Sequence, residues 1–298
     1  AVGSRNIEII EGKRKKIPVV RRSEILAELM RLKSNIAVAG THGKTTTTSM
    51  VAAVMETGNL DPTVVNGGII QDYGSNARLG EGDWMVVEAD ESDGTLVKIP
   101  STISIITNLD PEHLDHYGSF AALKKTFIKF INNIPFYGVA ICFIDHPEVK
   151  KLISKIKDRR VITYGYSSEA DIQIINLEYK KNKAHFQVYK KQNEEYFKFK
   201  LPMYGDHNVA NATAAITVAF HLKIPLENIK KGLENFKGVK RRFTKVYTWN
   251  GIDIIDDYAH HPVEISAVLS AARKYTSGRV IAIHQPHRYS RLANLMTD

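Results

Sequence analysis

The sequence has little cysteine and no long hydrophobic run. Its one cysteine, Cys142, excludes an intrachain disulfide, and the apolar surroundings VAICFI indicate a small core residue rather than a nucleophile. No apolar run approaches the ~20 residues that cross a bilayer, and residues 1–10 lack the long apolar segment of a signal peptide. These absences predict a cytoplasmic protein that does not contact a membrane.

Positive charge exceeds negative charge, but it is not concentrated in one segment. The formal net charge is +9. The lysines are scattered through segments such as KKLISKIKDRR, without the interleaved aromatic residues of an RNA-binding motif. We therefore predict no nucleic-acid partner and interpret most of the charge as solvated surface. With 43% hydrophobic and 24% charged residues, the composition is typical of a folded chain.

Residues 36–49, IAVAGTHGKTTTTS, have the form of a phosphate-binding loop between a strand and a helix. Gly40 and Gly43 allow the turn to bring backbone N–H groups toward an anion, and the helix start adds unpaired N–H groups. In such loops the lysine, here Lys44, reaches the terminal phosphates, and the next residue, here Thr45, ligates Mg²⁺. The segment therefore predicts a site for a nucleotide and its metal.

This loop departs from the usual pattern at one position, because Val38 stands where a further glycine is expected. The alternative is a strand-to-helix turn with a chance Gly-Lys pair. We favour the phosphate loop because strand, turn and helix stand in the order that the mechanism requires.

Strand-like and helical runs alternate from residue 36 to residue 164, which indicates a mostly parallel sheet covered by helices. Residues 171–201 change to period-two runs that suit a small antiparallel sheet. Helices return at 208–222 and 226–236. This part of the chain therefore predicts one α/β domain.

After Phe243 a βαβ pattern restarts, which suggests a new domain. We predict a hairpin turn at Asn250 and Gly251, a helix from Pro262, and a strand over residues 279–285, RVIAIHQ. The predicted fold class is α/β: a P-loop-type parallel-sheet central domain with a small antiparallel sheet, and part of a Rossmann-like α/β C-terminal domain.

Two clusters of metal-binding residue types follow predicted strands, at the edge where α/β sheets bind ligands. The first, in VVEADESD, holds carboxylates that repel one another unless a cation lies among them. Its members are Glu88, Asp90, Glu91 and Asp93. A solvated acidic turn is the alternative, and it carries more weight for the last three than for Glu88.

The second cluster, in TNLDPEHLDHYG, suggests a second metal site because carboxylates and imidazoles lie close together in sequence. Its members are Asp110, His113, Asp115 and His116. An ordinary helix-capping turn is the alternative for this segment.

Two further segments suit nucleotide or substrate contacts. Asn208 and Asn211 lie on one face of a predicted helix and could contact a base, although capping or interhelical hydrogen bonds explain such asparagines equally well. DDYAHHP and HQPHRYSR place histidines, arginines and a carboxylate at predicted strand ends, where fork-shaped arginines suit phosphate or carboxylate. A solvated basic loop is the alternative. The residues are Asp257, His260, His261, His284, His287, Arg288 and Arg291.

In combination these segments resemble the Mur ligases. GTHGKTTTTS, EADESD, TNLDPEHLDHYG, GDHNVANATAA, KRRF, DDYAHHP and HQPHRYSR stand in that family's order and roughly its spacing. The resemblance implies a remnant of a UDP-binding N-terminal domain with its linker at 1–33, a complete central ATP-binding domain at 34–242, and the first part of a C-terminal domain at 243–298. We therefore expect the chain to be a piece of a longer protein.

The resemblance also implies an activity. Mur ligases phosphorylate a carboxylate with ATP and Mg²⁺ and join the acyl phosphate to an amine. HRYSR favours the member that adds L-alanine to UDP-N-acetylmuramate. A ligase that recycles whole peptides, another Mur ligase with a different acceptor, or an ATP-binding module without activity are the alternatives.

Residue roles follow from the same resemblance. Lys44, Glu88 and His113 are the expected catalytic residues, and Thr45, Glu88 and His113 the expected Mg²⁺ ligands. Lys129 is the nearest counterpart of a lysine that several Mur ligases carbamylate. Nucleotide contacts are expected from Gly40, Thr41, His42, Gly43, Lys44, Thr45, Thr46, Asn208, Asn211, Arg242, Asp257 and His260. Substrate contacts are expected from His287, Arg288 and Arg291.

Overall fold

A ten-stranded sheet is the centre of the molecule, in the order β10-β9-β8-β7-β6-β5-β1-β4-β2-β3. The computed structural model describes residues 3, 5–92 and 94–286. Neighbouring strands from β2 to β8 along this order run parallel, whereas β3, β9 and β10 pair antiparallel with their neighbours. The strands are β1 (Ser34–Ala39), β2 (Thr63–Ile70), β3 (Ser75–Arg78), β4 (Trp84–Glu88), β5 (Ile103–Ile106), β6 (Val139–Phe143), β7 (Arg160–Gly165), β8 (Ile172–Lys180), β9 (Lys183–Lys190) and β10 (Glu195–Leu201).

Helices lie before, between and after these strands. The predicted alternation of strands and helices is confirmed, and the predicted antiparallel strands continue the large sheet through the parallel pairing of β7 with β8. The helices are α1 (Ile7–Arg14), α2 (Arg22–Met30), α3 (Lys44–Thr57), α4 (Leu114–Tyr117), α5 (Phe120–Asn132), α6 (Pro147–Ile153), α7 (Asp206–His221), α8 (Leu226–Glu234) and α9 (Pro262–Tyr275).

Strand β1 contributes to both of the large hydrophobic cores. Ile36 and Val38 pack into the core that also holds residues of α3 and α7, and Ala37 and Ala39 pack into the core under α5. Successive side chains of a strand point to opposite faces, so a strand that is buried on both faces reads as a continuous apolar run. Val38 is therefore a strand residue, and the phosphate loop begins only at Gly40.

Helix α5 shows how the sequence specifies these cores. Ser119 caps it, because its hydroxyl accepts the backbone N–H of Ala122 at 3.2 Å. The buried side chains recur at helical spacing and form one apolar face against the sheet. They are Leu123, Phe127, Phe130 and Ile131.

The C-terminal part begins with a separate two-stranded hairpin, β11 (Thr244–Trp249) with β12 (Ile252–Asp256). The predicted turn is confirmed, since Asn250 and Gly251 both have positive φ, at 48° and 78°. No β11 residue is buried, and the Trp249 side chain is 59% exposed.

The strand predicted at 279–285 is wrong for the described residues, none of which is assigned to a strand there. A strand requires a hydrogen-bonding neighbour. Among the described residues, β11 pairs only with β12. Ile281 and Ile283 are accordingly 68% and 96% exposed. The apolar residues indicated a strand, but no strand of the described residues pairs with this segment.

Cys142 lies on β6 and is fully buried. Burial raises the pKa of its thiol to about 12, so the core role predicted for it is confirmed. In the described part of the chain, none of the helices is both long and apolar enough to span a bilayer.

Candidate active site

The carboxyl ends of β4, β1 and β5 lie side by side and position the site. In the parallel register Val38 pairs with Glu88, and Ala39 pairs with Ile106. The phosphate loop, the acidic segment after Glu88 and the loop after Ile106 therefore emerge at the same edge of the sheet, where α/β folds bind ligands.

The backbone of the phosphate loop requires glycine at two positions. Gly40 and Gly43 have φ of 137° and 81°, a region that residues with a Cβ rarely adopt. A Cβ on Gly40 would overlap the Thr107 hydroxyl, and one on Gly43 would lie 2.8 Å from Asn211 Oδ1. The loop is thus packed between the segment after β5 and helix α7.

Hydrogen bonds fix the loop in this position. The His42 backbone N–H donates to Asn108 Oδ1 at 2.7 Å. In return, Thr107 Oγ1 and Asn108 Nδ2 donate to the His42 carbonyl at 2.7 and 2.9 Å. Helix α3 then starts at Lys44 with no side chain capping its N-terminus, which leaves the first N–H groups of that helix available for an anion.

The Lys44 ammonium points into the site and uses all its donors. Nζ donates to the carbonyls of Gly40 at 2.6 Å and Thr41 at 3.1 Å, and to Glu91 Oε1 at 3.0 Å. The Lys44 side chain is 13% exposed and that of Glu91 is 1% exposed. Burial raises the pKa of Glu91 to about 7, despite the opposing charge of Lys44.

Three potential metal ligands, one of which is Glu91 itself, meet beside Lys44. One ligand atom from each of Glu91, Glu112 and His113 lies within 4.8 Å of the others. His113 Nε2 is 3.7 Å from Glu91 Oε1 and 3.8 Å from Glu112 Oε2. The sequence singled out His113 but gave Glu91 little weight and missed Glu112, because their proximity depends on how the segments after β4 and β5 pack.

The other predicted ligands lie at the same sheet edge. Glu88 Oε2 accepts the backbone N–H of Gly67 at 2.8 Å, where β2 is irregular. Thr45 is buried, and its methyl group faces Gly68 of β2. Asp93 and the side chain of Asp115 lie outside the described residues.

A cavity of about 290 Å³ adjoins the phosphate loop. Its lining combines polar and charged side chains with a smaller set of apolar ones. The predicted nucleotide contacts among its lining residues are His42, Gly43, Thr46, Asn208, Asn211, Arg242 and Asp257. The sequence missed its apolar walls, which include Phe143, Phe243, Ala267 and Val268. Apart from hydrophobicity, these residues carry no sequence signal of their own.

Some predicted contacts also have structural roles. Asn208 Nδ2 donates to the Tyr204 carbonyl at 2.7 Å. Asp257 accepts the backbone N–H groups of Phe243 and Ala259, both at 2.7 Å, and burial raises the pKa of its carboxyl. Asp257 therefore holds the segment between the central part and β11 in place.

His42 connects the phosphate loop to helix α9. Its Nδ1 lies 3.1 Å from Glu264 Oε1, and its Nε2 lies 3.5 Å from Asp110 Oδ2. Asp110 also faces His146 Nε2 at 3.2 Å. Burial opposes ionisation of Glu264, but the hydrogen bond from His42 and the charges of His42, Arg242 and His260 lower its pKa overall.

Glu264 was not identified from the sequence. It is the third residue of helix α9, and it accepts the backbone N–H of His261 at 3.4 Å in a capping box, and also that of His260 at 3.2 Å. His260 Nδ1 itself lies 2.7 Å from the Tyr258 carbonyl. The S/T-x-x-E signal of such a box was hidden because His261 occupies the capping position.

The predicted substrate contacts His287, Arg288 and Arg291 lie outside the described residues. Lys129 is exposed on α5. This exposure does not suit a carbamylated lysine that lies near a metal inside a site.

Two protein-family models match this chain. The Mur ligase middle domain matches residues 38–219. The chain belongs to the Mur ligase family. A second family model, for the Mur ligase glutamate ligase domain, matches residues 241–297. The phosphate loop and the Glu91, Glu112 and His113 cluster of this Mur ligase chain therefore lie in the region matched by the middle-domain model. Glu264 lies in the region matched by the second model.

Curated relatives cover all of this chain. The UDP-N-acetylmuramate–L-alanine ligases of Roseobacter denitrificans and Cereibacter sphaeroides are 59% identical over 299 residues and 58% identical over 301 residues. Each match covers 100% of this chain and 64% of the relative. The chain thus spans a little less than two thirds of the length of these Mur ligases.

Solved Mur ligase structures share the fold. UDP-N-acetylmuramate-alanine ligase from Thermotoga maritima matches with a TM-score of 0.81 and 32% identity, over 92% of this chain and 62% of that chain. A murein peptide ligase from Psychrobacter arcticus matches with a TM-score of 0.74 and 26% identity, over 92% and 62%. The predicted α/β fold class is confirmed.

Proposed function

We propose that this protein is an ATP-dependent ligase that joins L-alanine to UDP-N-acetylmuramate. The observation that carries the proposal is the continuity between the phosphate loop and the adjoining cavity, which share His42, Gly43 and Thr46. A nucleoside triphosphate needs such a pair of subsites, one for phosphates and one for a base. The name of the relatives that match the whole chain supports the choice of substrates.

The proposed reaction has two steps. The γ-phosphoryl group of ATP moves to the lactyl carboxylate of UDP-N-acetylmuramate, which gives ADP and an acyl phosphate. The amine of L-alanine then attacks the acyl carbon, the C–O bond to phosphate breaks, and the amine loses a proton. Because a carboxylate alone is inert to amines, phosphorylation supplies the leaving group, and the enzyme positions the reactants and neutralises charge.

We assign the residues as follows. Lys44 contacts the β- and γ-phosphates, and the N–H groups at the start of α3 surround them. Asn208 and Asn211 contact adenine. Arg242 reaches the nucleotide from the segment before β11, and Asp257 and His260 reach it from the segment before α9. His287, Arg288 and Arg291 face the muramate substrate or the acyl phosphate.

Magnesium ions fit the donors at the strand ends. Glu91 Oε2 is buried without a hydrogen-bond partner among the described residues, and a buried carboxylate oxygen in that state suits a cation. We propose that Thr45 and Glu88 hold one Mg²⁺, and that Glu88 and His113 serve a second, next to Glu91. The metal supplies charge neutralisation between the two anionic reactants when it is bound.

The proposal also covers the cellular location of the protein and its division into domains. We propose that the protein acts in the cytoplasm, and that the boundaries at residues 33 and 242 separate three domains. The family matches, over 38–219 and 241–297, are consistent with the second of these boundaries.

A second candidate is a ligase that attaches whole peptides, since the murein peptide ligase from Psychrobacter arcticus shares the fold at 26% identity. A third is a nucleotide-binding module without turnover. Phosphate release should be measured with ATP, Mg²⁺ and UDP-N-acetylmuramate, with L-alanine or with an L-alanine-containing tripeptide as the acceptor. Release with L-alanine alone supports the proposal, release with the tripeptide alone overturns it, and nucleotide binding without release indicates the module.

A further inference from the structure

The Lys44 ammonium has no donor left for a phosphate in the arrangement described here. A lysine ammonium has three donors, and Lys44 Nζ already contacts the carbonyls of Gly40 and Thr41 and the carboxylate of Glu91. A phosphate can therefore recruit Lys44 only if one of these contacts is released. The two carbonyls belong to the loop itself, so Glu91 is the partner that can change.

Releasing Lys44 would leave the Glu91 carboxylate without its countercharge. The Glu91 side chain is 1% exposed, and its Oε2 has no hydrogen-bond partner in the described part of the chain. A buried carboxylate that loses its partner is strongly destabilised. Some other cation must replace Lys44 if the carboxylate is to stay charged.

The replacement ligands are already assembled beside Glu91. His113 Nε2 lies 3.7 Å from Glu91 Oε1, and Glu112 Oε2 lies 3.8 Å from His113 Nε2. Two carboxylates and one imidazole form a donor set for a divalent cation. The buried Oε2 of Glu91 is a separate indication, because an acidic cluster at the surface would be satisfied by water.

We propose that Glu91 exchanges Lys44 for a divalent cation, which it holds with Glu112 and His113, when Lys44 turns toward phosphate. Cation and phosphate binding then favour each other, because each removes the contact that competes with the other. This coupling is reciprocal by thermodynamic necessity. The phosphate half rests on the proposed function, whereas the competition between Lys44 and the cation can be tested without a nucleotide.

The test measures Mn²⁺ binding by electron paramagnetic resonance in the absence of nucleotide. Four proteins are compared: the parent, Lys44→Met, Glu91→Gln and the double variant. Lys44→Met should bind Mn²⁺ about tenfold tighter than the parent, within the usual range of coupling between sites. In the Glu91→Gln background the same Lys44→Met change should have no effect.

Equal affinity of parent and Lys44→Met for Mn²⁺ would overturn the proposal. It would also be overturned by a tenfold gain that persists in the Glu91→Gln background, because that gain would come from the general field of the lysine acting on another carboxylate such as Glu88. The exposed pair Lys150 and Glu169, with Nζ and Oε2 2.8 Å apart, offers matched control variants, Lys150→Met and Glu169→Gln, which should leave Mn²⁺ affinity unchanged.

A further variant keeps the test decisive if Lys44→Met fails to fold, as judged by circular dichroism. Glu112→Gln keeps Lys44 paired and should weaken Mn²⁺ binding several-fold, and unchanged affinity would contradict the assigned donor set. ADP binding in EDTA separates the two proposals. Glu91→Gln should bind metal-free ADP tighter than the parent, whereas an absence of ADP binding in every variant would contradict the nucleotide site and leave the Mn²⁺ result standing.

Discussion

The phosphate loop and the β11–β12 hairpin both turn on glycines with positive φ, but they are held in different ways. Gly40 is enclosed by the segment after β5, and a Cβ there would meet Thr107 and the backbone of Asn108. Gly251 has no heavy atom within 4 Å of where a Cβ would lie. The first turn is fixed by distant parts of the chain, and the second by its own two strands.

The comparison shows where substitutions should matter. In the phosphate loop, a local change disturbs contacts to β5 and α7, whereas in the hairpin the same change affects only backbone preference. The largest effects should therefore concentrate where the buried sheet edge and the proposed chemistry coincide.

Lys44→Ala should produce the largest change. It removes the cation that the loop directs at the proposed phosphates, so phosphate release should fall by more than a hundredfold, equivalent to about 3 kcal/mol of transition-state stabilisation. Steady-state phosphate release measures this loss, and Lys125→Ala, at an exposed position of α5, is the control. Retention of more than about a tenth of the parent's rate would contradict the assigned role.

The two glycines allow a direct test of the comparison. Gly40→Ala should lower the free energy of unfolding by about 3 kcal/mol, because strain at φ 137° adds to the overlap with Thr107. Gly251→Ala should cost only about 1 kcal/mol, the backbone preference alone. Urea denaturation measures both values. Equal losses would show that the loop is not held by its surroundings.

Glu264→Gln should weaken the link between the phosphate loop and α9. Its pKa lies below the ordinary value of 4.5, so the stabilisation is complete above that value and is lost as the pH falls below it. At pH 7 the variant should be less stable by about 2 kcal/mol, typical of a hydrogen bond to a charged group.

Urea denaturation of the parent and Glu264→Gln from pH 7 to pH 3 tests this sign. The difference between them should be constant down to about pH 5 and then shrink. A difference that grows on acidification would contradict the assignment. Glu169→Gln, at an exposed carboxylate, should give a much smaller difference at every pH.

Tyr247→Ser should have the smallest effect. Tyr247 lies in β11 and is exposed, so the free energy of unfolding should change by no more than about 0.5 kcal/mol. Thermal unfolding measures this. A much larger loss would show that the hairpin is packed as tightly as the sheet edge.

Local chemistry explains what the sequence revealed. Gly40, Gly43 and Lys44 stand within a few residues and mark the phosphate loop in the sequence, although distant residues hold that loop in place. Asn250 with Gly251 marks the hairpin turn in the same way. The two-faced burial of β1 follows from its continuous apolar run. In each case the sequence pattern and the structural element that it predicts occupy the same short segment.

Long-range packing explains what the sequence did not reveal. His42 and Glu264 meet across 222 residues, and Glu91 meets Glu112 only because β4 and β5 flank β1. The strand expected at 279–285 failed for the same reason, since pairing depends on a neighbour rather than on the run itself. The roles of Glu88, Asn208, Asn211 and Arg242 stay predictions.

Strands β4 and β11 each carry a tryptophan, which allows two regions of the molecule to be followed by fluorescence. The chain has two tryptophans. Trp84 starts β4, whose other end carries Glu88, and it packs against the central core. Trp249 is exposed at the end of β11. Intrinsic fluorescence therefore contains one reporter for the central sheet and one for the hairpin. Single-tryptophan variants, Trp84→Phe and Trp249→Phe, would let the emission of these two regions be followed separately as ligands are added.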